Sequence, residues 1–184
     1  RKAHSMGEEL IAHDPDNAQW VVAASYLNYQ IGVALAEAGR FDDGRDHCLS
    51  ALKKLDRLKQ SQPLDRFGLH TYARASSWVG WTFRMGGQVE NGIPFDRRTV
   101  QIYEDLRERF PDDLTIQSSL CFYTLRLGEP LTGVARRDAY LKAYRIGRGE
   151  RWPAKRSHRW GELRCEVRSL FDAVPCPLVG VSFQ

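Results

Sequence analysis

The chain has 184 residues, of which 42% are hydrophobic and 27% are charged, and its formal net charge at pH 7 is +4. This much apolar material can offset the entropy lost when the chain orders, so the composition excludes a wholly disordered protein. No run of about 18 apolar residues occurs in the sequence, so we expect no membrane-spanning helix.

Two kinds of residue recur with one period and indicate an internal repeat. Proline stands at three positions separated by 48 residues, which are Pro15, Pro63 and Pro111. Glycine shows the same separation at Gly32, Gly80 and Gly128. Self-similarity at a fixed period of this length is typical of stacked helical repeats. We therefore expect each period to contain one helical hairpin, with prolines marking the turns between hairpins.

The first complete period predicts two helices joined by a short turn. The first helix should end at Gly39, where a residue without a Cβ atom can adopt the left-handed cap conformation. The second should begin at Phe41 and end before Pro63. Apolar residues at three- and four-residue steps form one face of the first helix, namely Ala24, Leu27, Ile31 and Leu35. The corresponding line of the second helix is Cys48, Ala51, Leu52, Leu55 and Leu58. The side chains available to cap the first helix are Asp14, Asp16 and Asn17.

The remaining periods become less regular toward the C-terminus. The second repeats the scheme, with a turn at Gly87 and a helix that ends before Pro111. After Gly128 the third predicts an irregular second helix, as expected at the end of an array. Residues 1–11 match the second helix of a preceding period, so we expect a first repeat truncated at its N-terminus. The repeats thus occupy residues 1–147. Residues 148–184 are predicted to form a basic loop, a capping helix over residues 162–173 and a tail over residues 178–184.

Small and apolar residues keep the same relative positions in the first two hairpins. In the first they are Ile31, Gly32, Leu35, Gly39, Phe41, Gly44, Ala51 and Leu52. In the second they are Val79, Gly80, Phe83, Gly87, Val89, Gly92 and Val100. This pattern resembles the tetratricopeptide repeat (TPR) superfamily, in a long-helix variant with a period of about 48 residues. Two positions depart from the family pattern: the early Trp-like position holds Asn28 and Ser76, and the second-helix aromatic is replaced by Cys48 and Asp96.

The resemblance covers roughly residues 1–145 and implies an all-α fold. In that fold, antiparallel helix hairpins form a right-handed superhelical solenoid, here followed by an irregular C-terminal cap. The first helix of each hairpin then lines a concave groove. Glycine costs about 1 kcal/mol in a helix interior, so its recurrence at one register favours a packing role. We expect Gly32 to pack against Gly44, and Gly80 against Gly92.

The groove positions that the resemblance implies carry side chains that often dominate binding energy. Projected onto this chain they are Tyr26, Tyr29, Val33, Arg74, Ser77, Trp81, Arg84, Phe122 and Leu125. We expect a peptide or protein segment to bind across them. The chain would then be a scaffold or adaptor module of a larger signalling or regulatory protein of bacterial type. The alternative for each aromatic residue is burial in the core or coverage by the chain's own C-terminal segment.

Positive charge is concentrated between residues 136 and 168, where eleven Lys and Arg residues stand against four Asp and Glu. Trp152 and Trp160 lie among these cations and offer surfaces on which bases could stack. The candidate phosphate contacts are Arg148, Arg151, Lys155, Arg156 and Arg159. Four interpretations of this region remain open: a solvated end cap, a surface for an acidic protein partner, a surface for an anionic membrane, and a nucleic-acid-associated adaptor. A homo-oligomerisation element is a further alternative.

No catalytic, cofactor-binding or metal-binding pattern is found in the sequence. The five histidines are scattered, and the four cysteines show neither C-x-x-C nor zinc spacing. The adjacent carboxylates Asp42 and Asp43, and likewise Asp112 and Asp113, fall at predicted helix starts, where acidic side chains suit the helix dipole. We therefore predict a protein that is not an enzyme, has no cofactor or metal, and keeps its thiols reduced in the cytoplasm.

Overall fold

The computed structural model describes residues 2–148, apart from the side chains of residues 2–4, 7, 8 and 148. This part of the chain contains seven α-helices and no β-strand, so the predicted all-α class is confirmed for it. In chain order the helices are α1 (Lys2–His13), α2 (Ala18–Glu37), α3 (Phe41–Ser61), α4 (Arg66–Met85), α5 (Val89–Arg109), α6 (Leu114–Gly128) and α7 (Gly133–Arg148). No described helix is long and apolar enough to cross a membrane. The capping helix and tail predicted over residues 162–173 and 178–184 lie outside the described residues.

The helices pair in the order in which they occur in the chain. Each of the first six packs against the next, and the contacts are most extensive within the pairs α2–α3 and α4–α5. Helix α2 also packs against α4, the first helix of the following pair. The pairs α2–α3, α4–α5 and α6–α7 therefore form consecutive hairpins, as the repeat predicted.

Glycines in the left-handed region form the turns within the first two hairpins. The φ angle is 80° at Gly39 and 76° at Gly87. The amide of Arg40 donates a hydrogen bond of 2.9 Å to the carbonyl oxygen of Leu35, and the corresponding bond in the second hairpin measures 2.8 Å. These bonds satisfy carbonyl groups that the helix end leaves without an intrahelical partner. The helix stops predicted at Gly39 and Gly87 are confirmed.

Capping side chains recur with the period of the repeat. Asn17, Asp65 and Asp113 accept hydrogen bonds of 2.7 to 3.2 Å from amides in the first turns of α2, α4 and α6. Such a cap typically contributes about 1 kcal/mol to stability. Of the three capping candidates predicted before α2, Asn17 takes this role, whereas Asp14 and Asp16 do not cap an amide of α2.

Paired glycines bring the two helices of a hairpin together. A Cβ atom added to Gly32 would lie 2.6 Å from the carbonyl oxygen of Gly44, and one added to Gly44 would lie 2.6 Å from the carbonyl oxygen of Gly32. In the second hairpin, a Cβ atom on Gly92 would lie 2.7 Å from the carbonyl oxygen of Gly80. Backbones can approach this closely only where no side chain intervenes. The packing role predicted for these glycines is confirmed.

The third hairpin differs at the equivalent position. Tyr140 stands where the second glycine would fall, and a Cβ atom on Gly128 would lie 2.6 Å from its ring. Gly133, the first residue of α7, has a positive φ of 55°. Helix α7 has 16 residues, against 21 in each of α3 and α5.

The core lies along the interfaces between successive helices. Five of its largest and most deeply buried side chains are Leu55, Val79, Tyr103, Leu106 and Leu120. The apolar line predicted for α3 is confirmed in full, since all five of its residues are buried. Leu10, which precedes the buried Leu58 and Leu106 in the 48-residue register, is itself 41% exposed.

The apolar line predicted for α2 was correct only in part. Ala24 is buried, but Leu27, Ile31 and Leu35 are half-buried. Helix α2 contacts α1, α3 and α4, so burial is spread over several of its faces. The other residues that α2 buries are Val21, Val22, Ser25, Asn28, Tyr29, Gly32 and Ala36.

Candidate functional site

We refer to the exposed surface of α2, α4 and α6, the first helices of the three hairpins, as the first-helix face. Seven of the nine predicted groove residues are half-buried: Tyr26, Val33, Arg74, Ser77, Trp81, Arg84 and Phe122. Tyr29 and Leu125 are buried, with exposed fractions of 1% and 8%. These two side chains therefore belong to the core, and a guest on the face would not contact them directly.

Three of the half-buried residues occupy the same position on successive first helices. Tyr26, Arg74 and Phe122 are separated by 48 residues and lie on α2, α4 and α6. The hydroxyl of Tyr26 accepts a hydrogen bond of 2.8 Å from Gln30, which fixes its ring. The ring of Phe122 meets Tyr123 edge to face, with 5.1 Å between centroids. The 48-residue register thus places one arginine between two aromatic residues, one on each first helix, and we refer to these three residues as the row.

Arg74, in the middle of this row, has unused hydrogen-bonding capacity. Its guanidinium carbon lies 5.9 Å from the centroid of the Tyr29 ring. Its Nε atom is buried and has no hydrogen-bond partner among the described residues. Guanidinium groups bind carboxylates through paired N–H donors, and no described carboxylate takes that place here.

Three titratable groups close to Arg74 carry no negative charge near neutral pH. Burial, reinforced by the charges of Arg74 and Arg66, lowers the pKa of His70, whose Nδ1 atom lies 3.1 Å from the Tyr103 hydroxyl. Burial also raises the pKa of Tyr103, and it raises the pKa of Tyr29 to about 12. Both phenols therefore stay protonated, and the positive charge of Arg74 is not balanced by them.

Trp81 joins the second hairpin to the first. Its ring lies 5.8 Å from that of Phe41 at the start of α3 and 5.0 Å from that of Trp78, both in edge-to-face geometry. Trp81 remains half-buried in this position. The indole thus has one side in contact with the protein and another available to a guest.

Arg84, which was predicted to line the groove, instead forms an ion pair with Asp96 inside the second hairpin. Its side chain is 12% exposed and that of Asp96 is 5% exposed. Burial raises the pKa of Asp96 to about 6, although the charge of Arg84 acts in the opposite direction. The equivalent positions of the first hairpin hold Ala36 and Cys48, which are both buried. Arg84 therefore replaces an apolar contact within the hairpin and is not free to bind a guest.

The two positions that depart from the family pattern in the first helices form polar cross-links. Asn28 donates a hydrogen bond of 2.9 Å to the hydroxyl of Ser50, and its side-chain oxygen lies 2.7 Å from Nδ1 of His47. Ser76 donates one of 3.0 Å to the carbonyl oxygen of Phe95. Since His47 and Phe95 are also 48 residues apart, the same connection between first and second helix recurs in both hairpins.

A notch between α3 and α5, the second helices of the first two hairpins, was missed by the sequence analysis. Its volume is 460 Å³. Its apolar lining consists of Leu49, Leu52 and Phe95, and its cationic lining of Lys53, Arg57 and Arg98. Residues from two helices that are not neighbours in the chain create it, so no local pattern could have revealed it.

The predicted basic patch falls almost wholly outside the described residues. Arg148 ends α7, but its side chain is not described, and Arg151, Lys155, Arg156 and Arg159 lie beyond. Among the side chains that the structure describes, no three from His, Cys, Asp or Glu are grouped so as to hold a metal ion. Comparison of the chain with protein-family models, with curated proteins and with solved structures found no match.

Proposed function

We propose that the chain is a protein–protein interaction module whose first-helix face binds a peptide or a segment of a partner protein. The observation that carries this proposal is the row of Tyr26, Arg74 and Phe122, one residue from each hairpin and each half-buried. Aromatic and arginine side chains dominate many interfaces because they combine a large contact area with a polar group. An extended guest that crosses the three first helices would contact one such side chain on each helix.

Charge favours a guest that carries a carboxylate between two apolar side chains. Arg74 has no acidic partner among the described residues, and its paired donors suit a carboxylate better than any neutral group. Tyr26 and Phe122 on either side provide the apolar contacts. A guest segment with an acidic residue flanked by large apolar residues therefore fits the row.

The sequential hairpins and the paired glycines support a further proposal about the architecture. In it the hairpins form a TPR-like array with a right-handed superhelical course, and the first-helix face is its concave side. Because arrays of this kind present extended binding surfaces, the role we propose is that of a scaffold or adaptor within a larger signalling or regulatory protein in the cytoplasm.

Site-specific photo-crosslinking tests the proposal in the cell. A photoreactive amino acid at Ser77, half-buried on α4 and one turn from Arg74, should capture a discrete partner polypeptide. The matched control places the same amino acid at exposed Gln101 on α5 and should not capture that partner. Charge reversal by Arg74→Glu should abolish the crosslink from position 77.

Three outcomes would contradict the proposal. A crosslink from position 77 to the chain's own C-terminal segment would show that the face is covered internally. A crosslink to a second copy would identify an oligomerisation surface instead. Capture that persists in the Arg74→Glu variant would show that the row does not determine binding.

A further inference from the structure

The notch between α3 and α5 combines an apolar lining with an excess of positive charge. Its volume of 460 Å³ lies within the range of about 300 to 1,000 Å³ that is common for ligand sites. Leu49 and Phe95 are half-buried, so the notch offers apolar surface that the fold leaves partly open to solvent. A single large apolar side chain from outside could cover much of that surface.

The charges around the notch are unbalanced. Lys53, Arg57 and Arg98 line it together with one carboxylate, that of Asp56. This carboxylate is already engaged, because it accepts a hydrogen bond from the hydroxyl of Tyr72 and pairs with Arg98 at 3.6 Å. Lys53 and Arg57 are exposed and pair with no carboxylate among the described residues. Two cations at the edge of the notch are thus available to an anionic partner.

We propose that this notch is a second docking site, which takes an acidic amphipathic segment of a partner protein. One apolar side chain of that segment enters between Leu49 and Phe95, and its carboxylates meet Lys53 and Arg57. The charge complementarity follows from the two unpaired cations, and the apolar lining selects a segment that also carries a large apolar residue. Electrostatic steering of this kind raises the rate of encounter as well as the affinity.

The lining favours a protein segment over a nucleic acid. Binding of single strands relies on open aromatic rings against which bases stack. The one aromatic ring of the lining, Phe95, is already stacked on Phe83 with 5.8 Å between centroids.

This site is independent of the proposed function of the first-helix face. Lys53 and Arg57 lie on α3, whereas the row of Tyr26, Arg74 and Phe122 lies on α2, α4 and α6. Charge reversal at Arg74 should leave binding at the notch unchanged. Failure of one proposal is therefore distinguishable from failure of the other.

Nuclear magnetic resonance titration of the full chain provides the test. The probe is a short synthetic peptide rich in glutamate and held helical by a covalent side-chain staple, with two leucines at positions i and i+4, so that both lie on one face. Amide shifts should concentrate around the notch, in the second half of α3 and the first half of α5. The double variant Lys53→Glu/Arg57→Glu should weaken binding by about tenfold or more, because both carboxylate contacts become repulsive.

Matched controls separate the notch from general charge attraction. The variant Arg137→Glu/Arg145→Glu removes the same positive charge from exposed sites on α7 and should change the affinity by less than about twofold. A probe peptide with serines in place of both leucines should bind at least about tenfold more weakly. Circular dichroism confirms that the variants keep their helices.

Several results would overturn the proposal. The absence of shifts around the notch at millimolar peptide would do so, and so would equal losses in both double variants. Equal binding of the serine peptide would show that the apolar lining plays no part. Tighter binding of a single-stranded oligonucleotide, lost in Lys53→Glu/Arg57→Glu, would assign the notch to nucleic acid instead.

Discussion

Gly32 and Gly44 face each other across the first hairpin so closely that a Cβ atom on either would lie 2.6 Å from the carbonyl oxygen of the other. The Cys48 sulfur would also be 2.6 Å from a Cβ atom on Gly32. Both contacts are made to a backbone carbonyl oxygen. A side chain at either position could therefore be accommodated only by moving one whole helix away from the other. The spacing between α2 and α3 therefore depends on both residues being glycine.

We predict that Gly32→Ala lowers the free energy of unfolding by roughly 1 to 3 kcal/mol, the usual cost of forcing atoms into a filled core. Alanine has the higher helix propensity by about 1 kcal/mol, so a site governed by propensity would show the opposite sign. Urea denaturation gives the value. Exposed Ala34→Gly on the same helix serves as the propensity control and should cost about 1 kcal/mol. A Gly32→Ala variant more stable than the wild type would contradict the close approach.

The ion pair between Arg84 and Asp96 is predicted to be costly to break but easy to replace. Asp96→Ala leaves a buried guanidinium without its counter-charge and should destabilise the chain by about 3 kcal/mol or more. Arg84→Ala/Asp96→Cys restores the Ala and Cys pair of the first hairpin and should lie within about 1 kcal/mol of the wild type. Denaturant unfolding of the single and double variants provides the comparison. A double variant no more stable than Asp96→Ala would disprove the equivalence of the two hairpins.

The free energy of unfolding should fall as the pH rises through the range in which Asp96 titrates. Its pKa is about 6 in the folded chain against an ordinary value of 3.8, so between these values the folded chain retains a proton that the unfolded chain has lost. The contribution of this carboxyl to the free energy of unfolding therefore falls as pH rises through that window. Asp96→Asn cannot titrate. Relative to this variant, the wild type should lose up to about 3 kcal/mol between about pH 4 and pH 7. A difference that stays constant with pH would contradict the raised pKa.

Trp81 is predicted to anchor the guest of the first-helix face. Trp81→Ala should weaken binding of the captured partner by about 2 kcal/mol, as is typical of a central tryptophan. Isothermal titration measures the affinity, and a melting curve recorded in parallel shows how far the packing of Trp81 on Phe41 and Trp78 supports the fold. Trp20→Ala, at the start of α2 and outside the predicted groove, is the matched control. Unchanged affinity together with an unchanged melting curve would exclude Trp81 as an anchor.

Features that depend on local geometry were predictable from the sequence. The glycine turns, the apolar line of α3 and the paired glycines follow from helix periodicity and from the conformations that only glycine adopts readily. The capping residues Asn17, Asp65 and Asp113 share the 48-residue period; Asp113 was predicted at a helix start, whereas Asp65 was not predicted. The repeat spacing alone predicts the cap at Asp65 from the cap at Asn17.

Features that depend on contacts between distant residues were not predictable in the same way. Leu27, Ile31 and Leu35 are half-buried because α2 contacts three helices, a fact that its own periodicity does not express. Arg84 resembles an exposed groove residue until its partner Asp96 is considered, and the two are separated by a turn. The notch beside Lys53 arises only when α3 and α5 are placed side by side.

The affinity of the captured partner for chains altered at Arg74 tests the central claim most directly. Isothermal titration should show that Arg74→Ala weakens binding by about tenfold or more, since it removes a charge-assisted pair with the guest. Arg97→Ala, which removes an exposed arginine from α5, should leave the affinity unchanged. Equal affinities for wild type and Arg74→Ala, with both chains folded, would contradict the assignment of the first-helix face as the binding surface.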